Sequence, residues 1–300
     1  MRVNPNLVPD ILAGLQQSQT TLNQALEQVS TGKSVNVPSD NPAASASMVQ
    51  NTIETKDVDQ YTQNVTGVLS QVQAASSALS SVESSLTQAI SLGTEGANGT
   101  ESTSDLQSIA SQVQGILSSV VTQANTSYEG SYLFGGTASS QQPYTADSSS
   151  PTGYTYNGNS GQNSVAVGDS TNIQINLPGN QIFSNSTTNV LGSLSALVTA
   201  LQSGNSTTIG TATSGVTNAL NYVSQQRIFY ANADSQLNSQ ETYLQQETVN
   251  LSSQQTSLVG VNMAQAAINL SQAQTDNSAA LAAAAKVLPD TLLNYLVAPS

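Results

Sequence analysis

The sequence contains 300 residues, with 18 Asp and Glu against five Lys and Arg, and its formal net charge is -13 at pH 7. It has no Cys and no His, so it lacks the thiols and imidazoles on which most zinc, haem and acid-base chemistry depends. So few cations also argue against binding to nucleic acids or to anionic membranes, both of which attract clustered Lys and Arg.

Charged residues make up only 8% of the sequence, compared with about 25% in an ordinary globular domain. Solubility must therefore come from Ser, Thr, Asn and Gln, and such a surface changes little when carboxylates are protonated. We hypothesise that the protein functions in an acidic environment outside the cell. The sequence has no apolar run of about 18 residues for a membrane span, and residues 1–14 lack the apolar core of a secretory signal peptide.

Residues 8–29 form the first predicted helix. Its apolar positions recur at alternating spacings of three and four residues, which is the pattern of a helix packed along a partner helix. The stripe consists of Val8, Ile11, Leu15, Ser18, Leu22, Ala25 and Val29. A helix this short is marginally stable by itself in water, so we expect it to need a partner. Residues 31–33, Thr-Gly-Lys, indicate a break after it.

Residues 40–42, Asp-Asn-Pro, indicate the start of a second and longer helix, because they combine oxygen-bearing caps with a Pro at the first helical position. The same spacing then continues without exception. The positions are Val58, Tyr61, Val65, Val68, Val72, Ala75, Leu79, Val82, Leu86 and Ala89. We expect this helix to end near residue 92, before a loop over residues 96–103 and a third helix over residues 104–120.

The stretch after the third helix has a different character. Residues 128–183 hold seven of the thirteen aromatic residues, together with clustered Gly and Pro. Residues 154–156, Tyr-Thr-Tyr, precede Asn157-Gly158, a dipeptide typical of tight hairpin turns, and later segments alternate as strands do. We therefore predict a small β domain, inserted between helices, over residues 130–188.

A closing helix over residues 189–201 leads to the longest stripe, over residues 209–261. Twelve of its sixteen positions are apolar, and no Pro interrupts it. At about 1.5 Å per residue, such a helix would be roughly 80 Å long. Its polar positions are Gln226, Gln240, Glu247 and Gln254. They are interpreted either as exposed edges of a wide helix face or as residues that fix the register between helices.

The C-terminal tract, residues 264–287, is rich in Ala, which favours helix and lets helices approach closely. Pro289 is expected to interrupt this helix before a final apolar patch. The two apolar ends of the chain either pair with each other or become ordered on assembly with other subunits, and we favour the second interpretation. The residues predicted to pack between subunits are Val8, Ile11, Leu15, Leu22, Ala25, Val29, Leu270, Leu281, Ala284, Leu288, Leu292 and Leu296.

Carboxylates offer the remaining route to chemistry. Asp57 with Asp59, or Asp147 with Asp169, could form an acid-base or cation-binding pair, but solvated helix faces and loops explain these residues adequately. The Gly-Gly at residues 135–136 lacks the downstream Gly-Lys-Ser/Thr of a phosphate-binding loop. The sequence therefore predicts no catalytic residue, no metal site and no cofactor.

Residues 26–44 read LEQVSTGKSVNVPSDNPAA. This segment resembles the one shared by bacterial flagellins and the flagellin-like hook-associated proteins, in which a heptad helix ends in a Ser-Gly-Lys/Arg turn and Pro-Ser-Asp-Asp/Asn-Pro-Ala begins the next helix. Asn-Pro-Ala-Ala at residues 41–44 replaces the Ala-Gly-Leu that usually follows in flagellins. This difference favours the hook-associated branch, as do GSYLFGG at residues 130–136 and LLNYL at residues 292–296.

The resemblance covers the chain from end to end, although the inserted domain matches the family only at a few short sequence motifs. Residues 260–262 are Gly-Val-Asn where the family often has acidic residues, and residues 297–300 extend past the usual end. Any charge pairing carried by the first segment and the packing of the C-terminus therefore do not transfer from the family.

The stripes and the resemblance together imply a mainly α fold, in which both chain halves form a long-helix coiled-coil bundle that carries a small inserted β domain. Residues 1–38 and 265–300 would form a terminal coiled-coil domain. Residues 39–129 and 189–264 would form an α-helical bundle domain, and residues 130–188 the β domain.

The resemblance also implies a role, that of a non-enzymatic structural adaptor joining the flagellar hook to the filament by helix-helix packing. Its expected partners are further copies of the chain in a ring, the first hook-associated protein, flagellin and a flagellar export chaperone. The flagellar type III apparatus would export it to the hook-filament junction. The alternatives are a flagellin filament subunit, a glycan hydrolase that uses the inserted domain, and a secreted coiled-coil effector.

Overall fold

The computed structural model describes residues 7–186 and 188–296, with side chains described for residues 9–186 and 188–286. The helices in this range are α1 (Leu7–Thr31), α2 (Pro42–Gly96), α3 (Thr103–Ala124), α4 (Gly179–Ile182), α5 (Val190–Ser203), α6 (Ser206–Val259) and α7 (Met263–Leu296). The strands are β1 (Ser127–Tyr128), β2 (Ser131–Tyr132), β3 (Tyr144–Ala146), β4 (Tyr154–Tyr156), β5 (Ser164–Gly168) and β6 (Thr171–Gln174). The predicted fold class is confirmed, since the chain is mainly α and short strand pairs lie between α3 and α5.

The chain divides into two compact units, and each takes residues from both halves of the chain. The first unit combines the residues up to Asp57 with those from Glu247 onward, and the second unit is Val58–Gln246. The sequence-based division into a terminal domain, a helical bundle and a β domain remains a prediction.

In the first unit, α1 packs against α7. The stripe of α1 lies on the protected side of the helix, where Ala25 is buried and Ile11, Leu15, Leu22 and Val29 are half-buried. The buried positions of α7 are Ala266, Ala273 and Ala284, all small side chains that let two helices approach closely. The first helix and the Ala-rich C-terminal helix thus pair with each other within one chain, which is the interpretation that we did not favour from the sequence. Ordering on assembly with other subunits stays a prediction.

Two expectations for the C-terminal half are wrong. The long helix α6 ends at Val259 rather than Val261, and a new helix starts at Met263, where the Asn262 side chain accepts hydrogen bonds from the N–H groups of Ala264 (3.1 Å) and Gln265 (3.3 Å). Pro289 does not interrupt α7, which continues to Leu296. A Pro removes one backbone hydrogen bond from a helix, and this loss need not end the helix.

The second unit is built around the stripes of α2 and α6. Every predicted α2 position from Val58 to Ala89 is buried or half-buried, and so are the α6 positions from Ile209 to Leu244. The two helices are joined by an ion pair between Arg227 and Glu83 at 3.1 Å. The remaining side of this core is closed by α3 and α5, which pack against each other. Helix α3 starts one residue earlier than expected, because Ser102 and Asp105 form a reciprocal capping box.

The inserted strands form three separate antiparallel pairs, β1 with β2, β3 with β4 and β5 with β6. The hairpin expected at Asn157-Gly158 is wrong, because β4 pairs backward with β3. The turn between them is organised by Asp147. Its carboxylate accepts hydrogen bonds from the backbone N–H (2.9 Å) and hydroxyl (2.6 Å) of Ser149 and from the hydroxyl of Thr155 (2.6 Å). These bonds lower the pKa of Asp147 to about 2.

An aromatic cluster fixes the insertion to α6. The ring of Phe134 meets those of Phe183 and Tyr230 edge-on, with centroids 5.4 Å and 6.4 Å away. Tyr230 is fully buried, and its hydroxyl accepts a hydrogen bond from the Leu177 N–H at 3.0 Å. Burial raises the pKa of Tyr230. Gln240, one of the polar stripe positions, donates to the Val167 carbonyl at 2.8 Å, so it sets the register of β5 against α6.

Candidate functional site

The segment between α1 and α2 is the first part of the candidate site. Helix α1 ends at Thr31, and Gly32 adopts a left-handed conformation, with a φ of 69°, while its N–H still donates to the Gln28 carbonyl at 3.0 Å. Gly is the residue that takes this conformation without steric cost. The turn predicted from residues 31–33 is therefore a glycine-terminated helix end.

This turn is hydrogen-bonded to the interruption between α6 and α7. The N–H of Ser34 donates to the Val259 carbonyl at 2.7 Å, and the N–H of Val261 donates to the Gly32 carbonyl at 3.1 Å. The hydroxyl of Ser34 also donates to the Val259 carbonyl, at 3.1 Å. Lys33 and Gly260 face each other as an antiparallel bridge. The two chain breaks thus form one joint, which we call the junction (residues 31–44 and 258–262).

Asp40 and Asn41 shape the remaining part of the junction. One carboxylate oxygen of Asp40 accepts the N–H groups of Asn36 and Val37, each at 3.0 Å, and these hydrogen bonds lower the pKa of Asp40. The side chain of Asn41 accepts the Ala44 N–H at 3.1 Å and caps α2. The expected helix start is therefore confirmed at Asn41, whereas Asp40 closes the preceding loop, a role that sequence reasoning missed.

A small apolar cluster lies beneath the junction. Val35, Ala44 and Val259 are buried, and Met48 and Leu258 pack against them. On the same unit, the side-chain amide of Asn51 donates to the Leu251 carbonyl at 3.1 Å in a buried position, which ties α2 to α6. The junction is consequently held by both backbone hydrogen bonds and apolar contacts.

The structure describes eight of the twelve predicted subunit-packing residues. Ala25 and Ala284 are buried, whereas Leu281 is 46% exposed and lies off the buried stripe of α7. The half-buried members are Ile11, Leu15, Leu22, Val29 and Leu270. The side chains of Val8, Leu288, Leu292 and Leu296 lie outside the described residues. Sequence reasoning missed Ala266 and Ala273, because Ala occupies so many positions of this tract that it marks no stripe.

Two polar groups lie within the contact of α1 and α7. The hydroxyl oxygen of Ser18 and the side-chain carbonyl oxygen of Asn277 are buried, and among the described residues neither has a hydrogen-bond partner. An unpaired buried polar group costs about 1–3 kcal/mol. The α1–α7 pair is therefore weaker than an all-apolar pair of the same length would be.

Large exposed apolar side chains concentrate on the first unit. Nine of the eleven described residues of this kind belong to it, with exposed fractions between 45% and 63%. They are Leu12, Leu26, Val37, Val49, Ile53, Val249, Met263, Ile268 and Leu281. Such a concentration is typical of a surface that other protein chains cover. We refer to these nine residues as the exposed apolar set.

The acidic residues considered for chemistry are either exposed on a helix or hydrogen-bonded within the fold. Asp57 and Asp59 are exposed on α2, Asp147 holds the β3–β4 turn, and Asp169 accepts a hydrogen bond from the Tyr61 hydroxyl at 3.1 Å. In the part of the chain that the structure describes, no three Asp or Glu residues gather as a potential metal site. Over the same residues, none of the helices combines the length and apolarity that crossing a membrane requires.

The fold and the junction define a class of protein, one in which the two helical ends of a chain meet and short strand pairs are inserted between the helices. Family models place the chain within this class. The bacterial flagellin N-terminal helical region matches residues 8–139, and the bacterial flagellin C-terminal helical region matches residues 191–296. The chain therefore belongs to the bacterial flagellin family.

Individual relatives refine this assignment. The chain is 29% identical to flagellar hook-associated protein 3 of Escherichia coli over 181 residues, which are 60% of this chain and 56% of that protein. It is 32% identical to a flagellin of Salmonella derby over 100 residues, which are 33% of this chain and 20% of the flagellin. The predicted resemblance to the hook-associated branch is confirmed. The matched region spans little more than half of the curated hook-associated protein.

Solved structures show the same fold. A putative flagellar hook-associated protein from Vibrio parahaemolyticus, 19% identical, superposes with a TM-score of 0.66 over 72% of this chain and 98% of that chain. The flagellar junction protein of Legionella pneumophila, 14% identical, superposes with a TM-score of 0.61 over 71% of this chain and 100% of that chain. At these identities the similarity establishes the architecture.

Proposed function

We propose that this protein is a structural adaptor that joins the bacterial flagellar hook, through the first hook-associated protein, to the flagellin filament. The exposed apolar set carries the proposal, because its nine members, most of the described large apolar side chains that are exposed, all lie on one unit. The similarity to a hook-associated protein and to a junction protein supports the location.

The mechanism is helix-helix packing between subunits. Leu12 and Leu26 lie two heptads apart on the outer side of α1 and are 50% and 45% exposed. Complete burial of a Leu side chain contributes about 1.5–3 kcal/mol, so covering the exposed half of each contributes about 1 kcal/mol. Contacts of this size, repeated over the exposed apolar set, stabilise an assembled subunit far more than an isolated one.

The proposed partners follow from this location. They are further copies of the chain in a ring, the first hook-associated protein, flagellin and an export chaperone, with export through the flagellar type III apparatus. The predicted subunit-packing residues would make lateral and axial contacts in a terminal coiled-coil domain. The role needs no catalytic group, and we propose that the protein is not an enzyme.

A flagellin filament subunit is the second candidate, but the similarity to flagellin covers only 33% of this chain and does not favour it. Location separates the two roles. A fluorescent or epitope tag in the exposed β3–β4 turn should give one focus between hook and filament if the protein is the adaptor. Labelling along the whole filament would refute the adaptor role.

The packing mechanism has its own test. The double variant Leu12→Gln, Leu26→Gln changes only half-exposed positions of α1, so the chain should keep its helicity while filaments detach from hooks. Ile228→Gln is the matched control, because Ile228 is 57% exposed on the second unit and should leave attachment normal. Normal attachment in the double variant would contradict the mechanism.

A further inference from the structure

The junction and the first part of α2 form an apolar groove with a volume of about 560 Å³. One wall is the α2 face that carries Met48, Val49 and Ile53, and the other is the loop with Val37 and Pro38. Val49 and Ile53 lie one helical turn apart and are 61% and 50% exposed. The groove therefore presents side chains that an apolar helix could cover.

Cations stand at the rim of this groove. Lys33 and Lys56 both line it, and they are two of only five Lys and Arg in the sequence. Among the described residues neither lysine forms an ion pair, whereas Arg227 is paired with Glu83. The groove thus combines an apolar floor with two unpaired positive charges, in a chain whose net charge is -13.

A segment with the complementary character lies on α6. No Lys or Arg occurs between Arg227 and Lys286, so the carboxylates of this stretch have no nearby cation in sequence. Tyr243 is 60% exposed, and it is one of two large exposed apolar residues in the described part of the second unit. Glu247 follows one helical turn later, and its carboxylate accepts a hydrogen bond from the side-chain amide of Asn250 at 3.3 Å.

We propose that the groove of one copy binds the α6 face with Tyr243 and Glu247 of a second copy. The Tyr243 ring would cover Val49 and Ile53, and the Glu247 carboxylate would meet Lys56. Because isolated charges at a rim steer and align partners more than they add affinity, the lysines would fix the register between copies. The inference rests on the proposed function, since it locates one contact within the proposed ring.

The test is a photo-crosslinking residue in place of Val49, in cells that assemble flagella. The expected product is a dimer of this chain, in which the linked peptide contains Tyr243 and Glu247. Lys56→Glu should lower the dimer yield severalfold, and Lys56→Glu combined with Glu247→Lys should restore it. Lys286→Glu removes a cation elsewhere in the chain and should leave the yield unchanged.

Several results would overturn the inference. They are a crosslink to another protein, a crosslink to a different segment, the absence of a crosslink, or a charge exchange that fails to restore the yield. Circular dichroism of each variant shows whether it folds, and Lys56→Gln replaces Lys56→Glu if the latter does not. A tagged protein found between hook and filament, without the crosslinked dimer, defeats only this inference. Labelling along the whole filament defeats the proposed function.

Discussion

Two glycines of the first unit provide a matched test of the junction. Gly14 lies inside α1 and Gly32 directly follows it, and a methyl group added at either position would meet no atom within 4 Å. They differ in backbone conformation, because only Gly32 has a positive φ, of 69°. Replacing each by Ala therefore separates the effect of the left-handed turn from the effect of packing.

The expected changes have opposite signs. Gly14→Ala should stabilise α1 by about 0.5–1 kcal/mol, since Ala loses less conformational entropy than Gly in a helix. Gly32→Ala should destabilise it by about 1–2 kcal/mol, which is the cost of a left-handed conformation for a residue with a Cβ atom. Gly32→Asn should cost less, because Asn tolerates this conformation better than Ala.

Hydrogen exchange measured by mass spectrometry on peptides from α1 is the appropriate assay, because it reports local opening rather than unfolding of the whole chain. A loss of 1–2 kcal/mol corresponds to about 5–30-fold more of the open state, and exchange in Gly32→Ala should accelerate by that factor. Gly14→Ala should slow it. Peptides from α3, in the second unit, serve as the internal control and should not change.

Two results would refute this reasoning. Equal exchange in Gly32→Ala and Gly14→Ala would show that the positive φ does not limit the stability of the turn. Exchange that is already complete in the unmodified protein would show that α1 does not pack on α7 in the isolated chain.

Three further predictions concern the second unit. Gly67→Ala should raise the melting temperature by about 2–4 °C, because the added methyl group lies in open space and Ala is about 1 kcal/mol more favourable than Gly in a helix. Gly93→Ala should lower the melting temperature, because its methyl group would collide with a threonine hydroxyl on α6. Tyr230→Phe should cost about 1–3 kcal/mol in denaturant unfolding because it leaves a buried N–H unpaired, while Tyr243→Phe, at an exposed position, should be close to neutral. The pKa of Asp147 is lowered in the folded state, so the ionised carboxylate stabilises its turn fully above pH 3.8 and loses that contribution as the pH falls toward 2. A carboxyl titration followed by NMR should therefore show a midpoint near 2, and a midpoint at 3.8 would contradict the hydrogen-bonded turn.

The sequence predicts the long helices well because their stripes are made of large apolar residues. On α2 the side chains of Val65, Val72, Leu79 and Leu86 are all fully buried, as their spacing indicates. Periodic burial of this kind is a direct physical consequence of helix packing, so it can be read without knowledge of the partner helix.

Other features depend on interactions that spacing does not record. The β3–β4 hairpin is selected by the hydrogen bonds of Asp147, which prevail over the turn preference of Asn157-Gly158. The end of α6 is set by its pairing with the first chain break, since Val259 and Gly260 face residues more than 200 positions away. The polar position Gln240 likewise shows its register role only when β5 is in place.

The two units differ in how their cores are completed, and this difference connects the fold to the proposed function. The twelve largest fully buried side chains of the described residues all belong to the second unit. Among the described side chains of the first unit, five of the eight buried apolar residues are Ala. An Ala-rich core buries little apolar area per residue, so it supplies little of the free energy that must offset chain entropy. Nine large apolar side chains of the first unit are exposed, so the proposed packing against other subunits would add stability that this core does not supply.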